Sequence, residues 1–326
     1  MFDRTSLVIK PLSDRKHGLD LSVVSRLSAC SGISRSIKAF SDGLIRAEKK
    51  GAAIMLMIGA HVVRSGVQRY LIDLMERGYI SCLAMNGAGV IHDFEFALIG
   101  ATTESVAAYI KEGQFGLWKE TGRLNEIINR AYRKEKKTGL GQAVGQAIDS
   151  GDYPHKEVSL LAAAYRQGIP VTVHVGIGSD IIHEHPNCDG AATGALSYND
   201  FLRFVSVVEN LEHGAVMNFG SAVMAPEVFL KALSMARNVA RQKERVIKDF
   251  SVLVCDLHDL PEDFTAGPPD DSAAYYFRPW KTMLVRTVAD GGKSFYVKGR
   301  HAETIPALWS AINNCKSEYP GIRMES

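Results

Sequence analysis

The segment AAIMLMIG, residues 52–59, is apolar up to the glycine that ends it, and the amphipathic stretch VQRYLIDLMERG (67–78) follows it. A strand without a polar side is buried on both faces, which is typical of a parallel sheet. Short apolar runs and longer amphipathic stretches alternate along the rest of the chain in the same way. This alternation is typical of parallel strands joined by crossover helices. The sequence therefore predicts an α/β protein with one parallel sheet and helices on both faces.

The predicted sheet has six or seven strands and belongs to a single domain at residues 51–326, preceded by an N-terminal helical extension at residues 1–50. Glycines at positions 78, 168 and 214 each end an amphipathic run, as glycines at helix ends do. The predicted helices lie at 67–78, 91–100, 159–168, 198–214, 226–242 and 303–315. The predicted strands lie at 52–59, 81–87, 170–178, 214–220, 249–257 and 282–288, with a seventh at 294–299.

Composition limits the classes of function. Of the 326 residues, 46% are hydrophobic and 23% charged, and the formal net charge of +2 is too small to predict a nucleic-acid or membrane partner. The N-terminus lacks the apolar core of a signal peptide, and no stretch reaches the roughly 18–20 apolar residues that span a bilayer. We therefore expect a cytoplasmic protein. The five cysteines include no CxxC pair, so neither a disulfide framework nor a zinc site is predicted.

Small and polar residues follow each predicted strand, and in an open parallel sheet ligands bind beyond these strand ends. NGAG (86–89) and FGSA (219–222) each lead into a predicted helix. Residues with little or no side chain let a pyrophosphate approach the backbone N–H groups of a helix N-terminus. The sheet is therefore predicted to be Rossmann-like, although the chain contains neither GxGxxG nor the P-loop pattern.

Five histidines lie on or near the predicted strand ends: His61, His92, His174, His183 and His185. His183 and His185, with nearby carboxylates, could form a metal site, but a third ligand is not fixed by the sequence, and polar or acid/base roles in a pocket are the preferred interpretation. No metal is predicted. We expect His92 or His185 to act as the acid/base group, and His174 and His183 to lie at the substrate.

The order of these strand ends resembles that of deoxyhypusine synthases. GAHVVRSG, NGAGVIHDFE, IPVTVHVGIGSD, NFGSAVMAPE and DDSAAYYFRPWK are similar, in order and spacing, to segments of that family over residues 52–315. The resemblance implies an NAD-dependent homo-oligomer, a tetramer or dimer, that oxidises a polyamine and transfers its aminobutyl group through a lysine imine to a protein acceptor. It implies Lys281 as that lysine. It places near NAD the residues His61, Asn86, Gly87, Ala88, Gly89, His92, Asp93, Gly220, Ser221, Ala222 and Asp256, and near the substrate Asp180, Asp271, Trp280 and Lys281.

Two features separate this chain from the deoxyhypusine synthase pattern. Pro226 and Leu230 stand where that family has polar residues that hold the polyamine, and the Trp280–Lys281 pair lacks the glycine between them. Residues 59–100 also resemble the NAD-dependent ornithine cyclodeaminase domain of the saccharopine-dehydrogenase-like type, which implies oxidation of a C–N bond without Lys281. A protein that binds NAD or another nucleotide without catalysis remains a third alternative.

Overall fold

A six-stranded parallel sheet forms the centre of the computed structural model, which describes residues 2–318. The strands are β1 (Leu19–Asp20), β2 (Ile54–Ile58), β3 (Cys82–Asn86), β4 (Ala101–Thr102), β5 (Val171–His174), β6 (Ala215–Phe219), β7 (Ser251–Asp256) and β8 (Lys293–Lys298). The order in the sheet is β5-β3-β2-β6-β7-β8. When these six strands are renumbered along the chain, the order is 3-2-1-4-5-6, as in dinucleotide-binding sheets.

Helices cover both faces of the sheet, as predicted. Ile54, Leu56 and Ile58 of β2 pack into one apolar cluster, while Met55 and Met57 pack into a second cluster on the opposite face. The alternation follows from the two-residue period of a strand. The helices are α1 (Arg35–Lys49), α2 (Ala60–Arg64), α3 (Gln68–Glu76), α4 (Gly87–Ile99), α5 (Val106–Tyr109), α6 (Arg123–Lys134), α7 (Leu140–Ser150), α8 (Leu160–Arg166), α9 (Gly190–Val208), α10 (Met224–Gln242) and α11 (His301–Glu318).

The predicted strand at 282–288 is wrong. The chain forms a π-helix at Pro279–Arg286, whose Trp280, Met283 and Leu284 pack with α10 over one face of the sheet. A short apolar run does not by itself distinguish a buried strand from a buried helical segment. The run at 294–299 supplies the last strand instead, as β8.

The N-terminal segment is helical only in part, which corrects the predicted helical extension. Before α1, residues 2–34 contain three short 3-10 turns and β1, which pairs antiparallel with β4. Phe40 and Leu44 of α1 are fully buried in the same apolar cluster as β2, so this helix packs directly on the sheet. Residues 319–326 of the predicted domain lie outside the described residues.

None of the helices within residues 2–318 combines the length and the apolar character that a membrane span requires.

Candidate functional site

A cleft of about 770 Å³ opens at the carboxyl ends of the strands, where the strand order reverses between β2 and β6. Ligands of open α/β sheets bind at this point because the chain leaves the two neighbouring strands in opposite directions and a crevice opens between the connections. Residues following four strands line the cleft, together with side chains of α2, α4 and α10. The lining includes the predicted His61, Asn86, Gly87, Ala88, His92, His174, Asp180, Gly220, Ser221 and Ala222.

Glycines allow the strand ends to approach each other closely. A methyl group on Gly59 would overlap the carbonyl oxygen of Gly220, and one on Gly87 would overlap the Asp180 carboxylate. Gly220 has a φ of 64°, in the left-handed region that favours glycine, and a methyl group there would overlap the His301 ring. These glycines therefore shape the cleft.

Local hydrogen bonds explain the polar residues at two of the strand ends. Asn86 caps α4, because its Oδ1 accepts from Gly89 N at 3.0 Å. Ser221 N donates to Asn218 Oδ1 at 3.1 Å, and Ser221 Oγ accepts from Ala225 N at 3.0 Å. Both turns are thus fixed before α4 and α10 begin, and the N-termini of these two helices point at the cleft.

His92, on α4, lies between the cleft and a second pocket of about 340 Å³. Its Nδ1 is 2.8 Å from Thr102 Oγ1. Burial lowers the pKa of His92 to about 4, so the ring is neutral at neutral pH. The predicted acid/base residue is therefore placed where it can meet a ligand in either cavity.

The predicted substrate residues after β5 also lie at the cleft or next to it. Burial raises the pKa of Asp180 to about 6, and the bond from the Ala88 amide opposes that rise. Burial lowers the pKa of His174 to about 4, and its Nε2 is 3.1 Å from Thr172 Oγ1. His183 lies one turn behind Asp180, and its Nδ1 accepts from the amides of Gly178 and Asp180, each at 3.2 Å.

Two residues predicted at the site hold other parts of the fold together. Asp93 is buried and caps α8, since its carboxylate accepts from Ser159 Oγ at 2.5 Å and from Leu160 N at 2.7 Å. His185 is 3% exposed, and its Nε2 lies 2.9 Å from the carbonyl oxygen of Gly116. Neither side chain lines the cleft. The alternative that His185 is the acid/base residue is therefore not supported by its position.

The predicted substrate residues of the long loop after β7 lie away from the cleft lining. Asp271 is exposed, and Trp280 is buried with its Nε1 donating to Phe264 O at 2.7 Å. Lys281 is 6% exposed, and its Nζ lies 3.2 Å from the centre of the Tyr275 ring. This geometry is that of a buried cation–π contact. Trp280 and Lys281 belong to the π-helix that replaces the predicted strand, and this helix packs against α10.

Three residues that the sequence did not single out are close to the predicted ones. Arg64, at the end of α2, lines both cavities, and its Nη1 lies 3.3 Å from His61 Nε2. Glu104 lines the second pocket, where it accepts from the Trp118 indole at 2.8 Å. His301 opens α11 behind Gly220; burial lowers its pKa, and the carboxylate of Asp256, at the end of β7, opposes the effect. Arg64 could have been found, because it belongs to the segment directly after β2.

Unpaired polar atoms support a ligand site here. Within residues 2–318, seven buried side-chain atoms have no hydrogen-bond partner, and three of them, Arg64 Nε, His183 Nε2 and His301 Nδ1, belong to residues that line the cleft or contact its lining. Buried polar groups without partners are rare and mark strain or a binding function. The cleft, the glycine contacts and the cationic Arg64 fit a dinucleotide. At the end of β3, however, the acidic residue that holds the ribose in Rossmann sheets is replaced by Asn86.

No family model matches the chain. A deoxyhypusine synthase-like protein of Elusimicrobium minutum (strain Pei191) is 22% identical over 284 residues, which cover 77% of this chain and 72% of that protein.

A solved structure, unliganded AgrE, shares the fold with a TM-score of 0.52 at 14% identity. The match covers 89% of this chain and 34% of AgrE, so this chain spans about a third of the length of AgrE. AgrE is also known in a ternary complex with ornithine and NAD+, with a TM-score of 0.49, 14% identity and coverage of 90% of this chain and 35% of AgrE. A candidate deoxyhypusine synthase from Entamoeba histolytica has a TM-score of 0.47 at 12% identity, covering 87% of this chain and 90% of its own. The resemblance predicted from the strand ends is confirmed: this chain is similar to a deoxyhypusine synthase-like protein over most of its length.

Proposed function

We propose that this chain is an NAD-dependent enzyme that removes a hydride from a carbon bonded to nitrogen in an amine substrate. The observation that carries the proposal is the cleft at the reversal of the strand order, because it brings small residues of four strand ends together with His92 and Asp180. NAD, when bound, would supply the hydride acceptor. The similarity to a deoxyhypusine synthase-like protein supports the same class of reaction.

The positively charged groups at the cleft suit the phosphates of a dinucleotide. The N-termini of α4 and α10 carry partial positive charge, and α10 is long, with 19 residues. Arg64 adds a full charge at the wall of the cleft. Because α2 has only five residues, we assign the phosphate-binding role to the turns before α4 and α10 rather than to the first turn after β2.

His92 is the proposed base. Oxidation of a C–N bond requires the nitrogen to lose a proton before or during hydride removal. A neutral His92 can accept that proton, but the burial that lowers its pKa to about 4 also makes it a weaker base than a free imidazole. Asp180, which lines both cavities, would pair with the ammonium form of the substrate and hold it beside His92.

The second pocket is the proposed position of the rest of the substrate. Its walls include the apolar side chains of Ile91, Val106 and Phe115, and Glu104 provides a carboxylate. Burial raises the pKa of Glu104, and a cationic ligand would favour its charged form. An aliphatic chain that carries an amino group fits the apolar walls and the Glu104 carboxylate.

An amino acid is the second candidate substrate. Arg64 lines the cleft and the second pocket, and its Nε has no partner within residues 2–318. A guanidinium binds a carboxylate through two parallel hydrogen bonds. Transfer of an aminobutyl group is not part of the proposal, because Lys281 packs against Tyr275 and does not line the cleft.

Calorimetric titration with NAD, followed by NADH absorbance in the presence of spermidine, putrescine or ornithine, tests the proposal. We expect NAD to bind and NADH to form with at least one of these compounds. Turnover of ornithine but not of putrescine, lost in Arg64→Met, would favour the amino-acid alternative. Binding of NAD without NADH formation would indicate a dinucleotide-binding protein, and no binding would refute the proposal.

Matched variants separate the base from general effects of substitution. His92→Asn removes Nε2 and keeps a polar atom near the position of Nδ1, so NADH formation should fall by about a hundredfold or more. His213→Asn is the control, since His213 is exposed, and it should keep full activity. Asp180→Asn should raise KM for the amine, and the exposed Asp152→Asn should not.

A further inference from the structure

A buried hydrogen-bond network extends from His92 to the N-terminal segment. Thr102 Oγ1 lies 2.8 Å from His92 Nδ1 and donates to Glu95 Oε2 at 2.7 Å. Thr121 Oγ1 donates to Glu95 Oε1 at 2.6 Å. The Arg15 guanidinium donates to both carboxylate oxygens, each at 2.8 Å. Glu95 thus accepts four hydrogen bonds, which is the full capacity of a carboxylate.

The network determines which ring nitrogen of His92 carries the proton. A threonine hydroxyl has one hydrogen, and that of Thr102 is directed to Glu95. Thr102 Oγ1 must therefore accept from His92, so Nδ1 is the protonated nitrogen. In a neutral ring the other nitrogen, Nε2, is then an acceptor. A proton-accepting Nε2 is what a base at the cleft requires.

The N-terminal segment holds this network from two sides. Arg15 forms the ion pair with Glu95, in which both side chains are 1% exposed. Next to it, β1 pairs with β4, which contains Thr102, and the flanking bonds Gly18 N to Thr103 O and Leu21 N to Gly100 O are each 3.0 Å long. The backbone on both sides of Thr102 is thus held by hydrogen bonds to the segment around Leu19.

We infer that Thr102 is a positioning residue that fixes His92 in the Nδ1-protonated tautomer, and that the N-terminal segment maintains it through Arg15, Glu95 and the β1–β4 pair. The inference rests on the proposed function for its catalytic meaning. The tautomer itself is a property of the protein and can be measured without any substrate.

Nitrogen NMR of the full-length protein with isotope-labelled histidine tests the inference, with the His92 signals identified by their loss in His92→Asn. We expect a predominant Nδ1–H form in the unaltered protein. Thr102→Val removes the acceptor and should produce a mixture of tautomers, while Thr102→Ser should restore the Nδ1–H form. If the enzyme turns over an amine, Thr102→Val should lower kcat about ten- to hundredfold with a smaller change in KM.

Thr121→Val is the matched control. It removes a hydroxyl from the same carboxylate at a position that is also fully buried, but Thr121 does not contact His92. Its His92 tautomer should remain unchanged. An Nε2–H form in the unaltered protein, or the same shift in both valine variants, would overturn the inference. An Nδ1–H form in a protein that oxidises no amine would instead leave the inference standing and refute the proposed function.

Discussion

Asp200 should make the stability of this protein depend on pH in a direction opposite to the usual one for carboxylates. It lies on α9 with no exposed surface, and its Oδ2 accepts from Gly141 N at 2.9 Å and from Val173 N at 3.0 Å. Its Oδ1 has no partner within residues 2–318. Burial raises the pKa of Asp200 to about 7, and the two amide bonds oppose the rise only in part.

The sign follows from proton binding. Between about pH 4 and pH 7 the folded chain keeps the Asp200 proton while the unfolded chain loses it, so the free energy of unfolding falls as the pH rises. Each pH unit in this window costs about 1.4 kcal/mol. From pH 5 to pH 7 the loss from this one group is therefore about 2 kcal/mol, because the folded-state carboxyl is already half ionised near pH 7, and the loss levels off above that pKa.

Asp200→Asn isolates this effect. Buried histidines such as His92 and His174 also affect the pH profile of the unaltered protein. Their lowered pKa values make the free energy of unfolding rise with pH, opposite to the effect of Asp200. The difference between variant and parent cancels them. In urea unfolding, the variant should match the parent below about pH 4, exceed it by about 2 kcal/mol near pH 5 and exceed it by about 4 kcal/mol near pH 7. The exposed Asp152→Asn is the control. A variant-minus-parent difference that stays constant from pH 5 to pH 8 would refute the reasoning.

Three further predictions concern the cleft and its support. Gly59→Ala forces apart the β2 and β6 ends, because its methyl group overlaps Gly220 O; we expect about 1–3 kcal/mol lower stability in urea unfolding and weaker NAD binding by calorimetry. Arg15→Met leaves the buried Glu95 charge without its partner and should cost about 3–5 kcal/mol in urea unfolding, whereas an unchanged stability would contradict the ion pair. Lys281→Met should leave NAD binding unchanged in the calorimeter, because Lys281 contacts Tyr275 and not the cleft. Loss of NAD binding in a folded variant would show that Lys281 belongs to the NAD site.

The sheet could be predicted because its central strands are apolar on both sides. Five of the predicted strands and the additional run at 294–299 form the sheet, with ends a few residues shorter than predicted. The error at 282–288 has a physical cause. The run TMLVRTV has the composition of a strand, but Pro279 and Trp280 precede it and its buried side chains pack in the helical layer. Only packing against α10 and β8 distinguishes the two structures.

The cleft could be predicted for a geometric reason, but the residues behind and beside it could not. The carboxyl ends of parallel strands share one edge, so small residues after several strands indicate a common site before any contact is known. Arg15 and Glu104 carry no such signal, because they reach the site through a two-residue β1–β4 pair and a loop. Asp93 and His185 are polar residues near strand ends, as the residues of the cleft are. The side chain of Asp93 instead bonds to the start of α8, and that of His185 bonds to the carbonyl oxygen of Gly116.

The distribution of hydrogen bonds around the cleft is uneven, and this unevenness bears on function. Glu95, behind the cleft, accepts four bonds, while Arg64 Nε, His183 Nε2 and His301 Nδ1 have none within residues 2–318. An unmade bond of a buried polar group costs about 1–3 kcal/mol. Buried oxygens of Gln68, Asn125, Asn129 and Asp200 also lack a partner within residues 2–318, but none of these residues lines the cleft. The three unpaired nitrogens are the ones that a ligand in the cleft could reach. A ligand that offers oxygen acceptors there would recover this free energy on binding. The folded protein should therefore be more stable when the cleft is occupied.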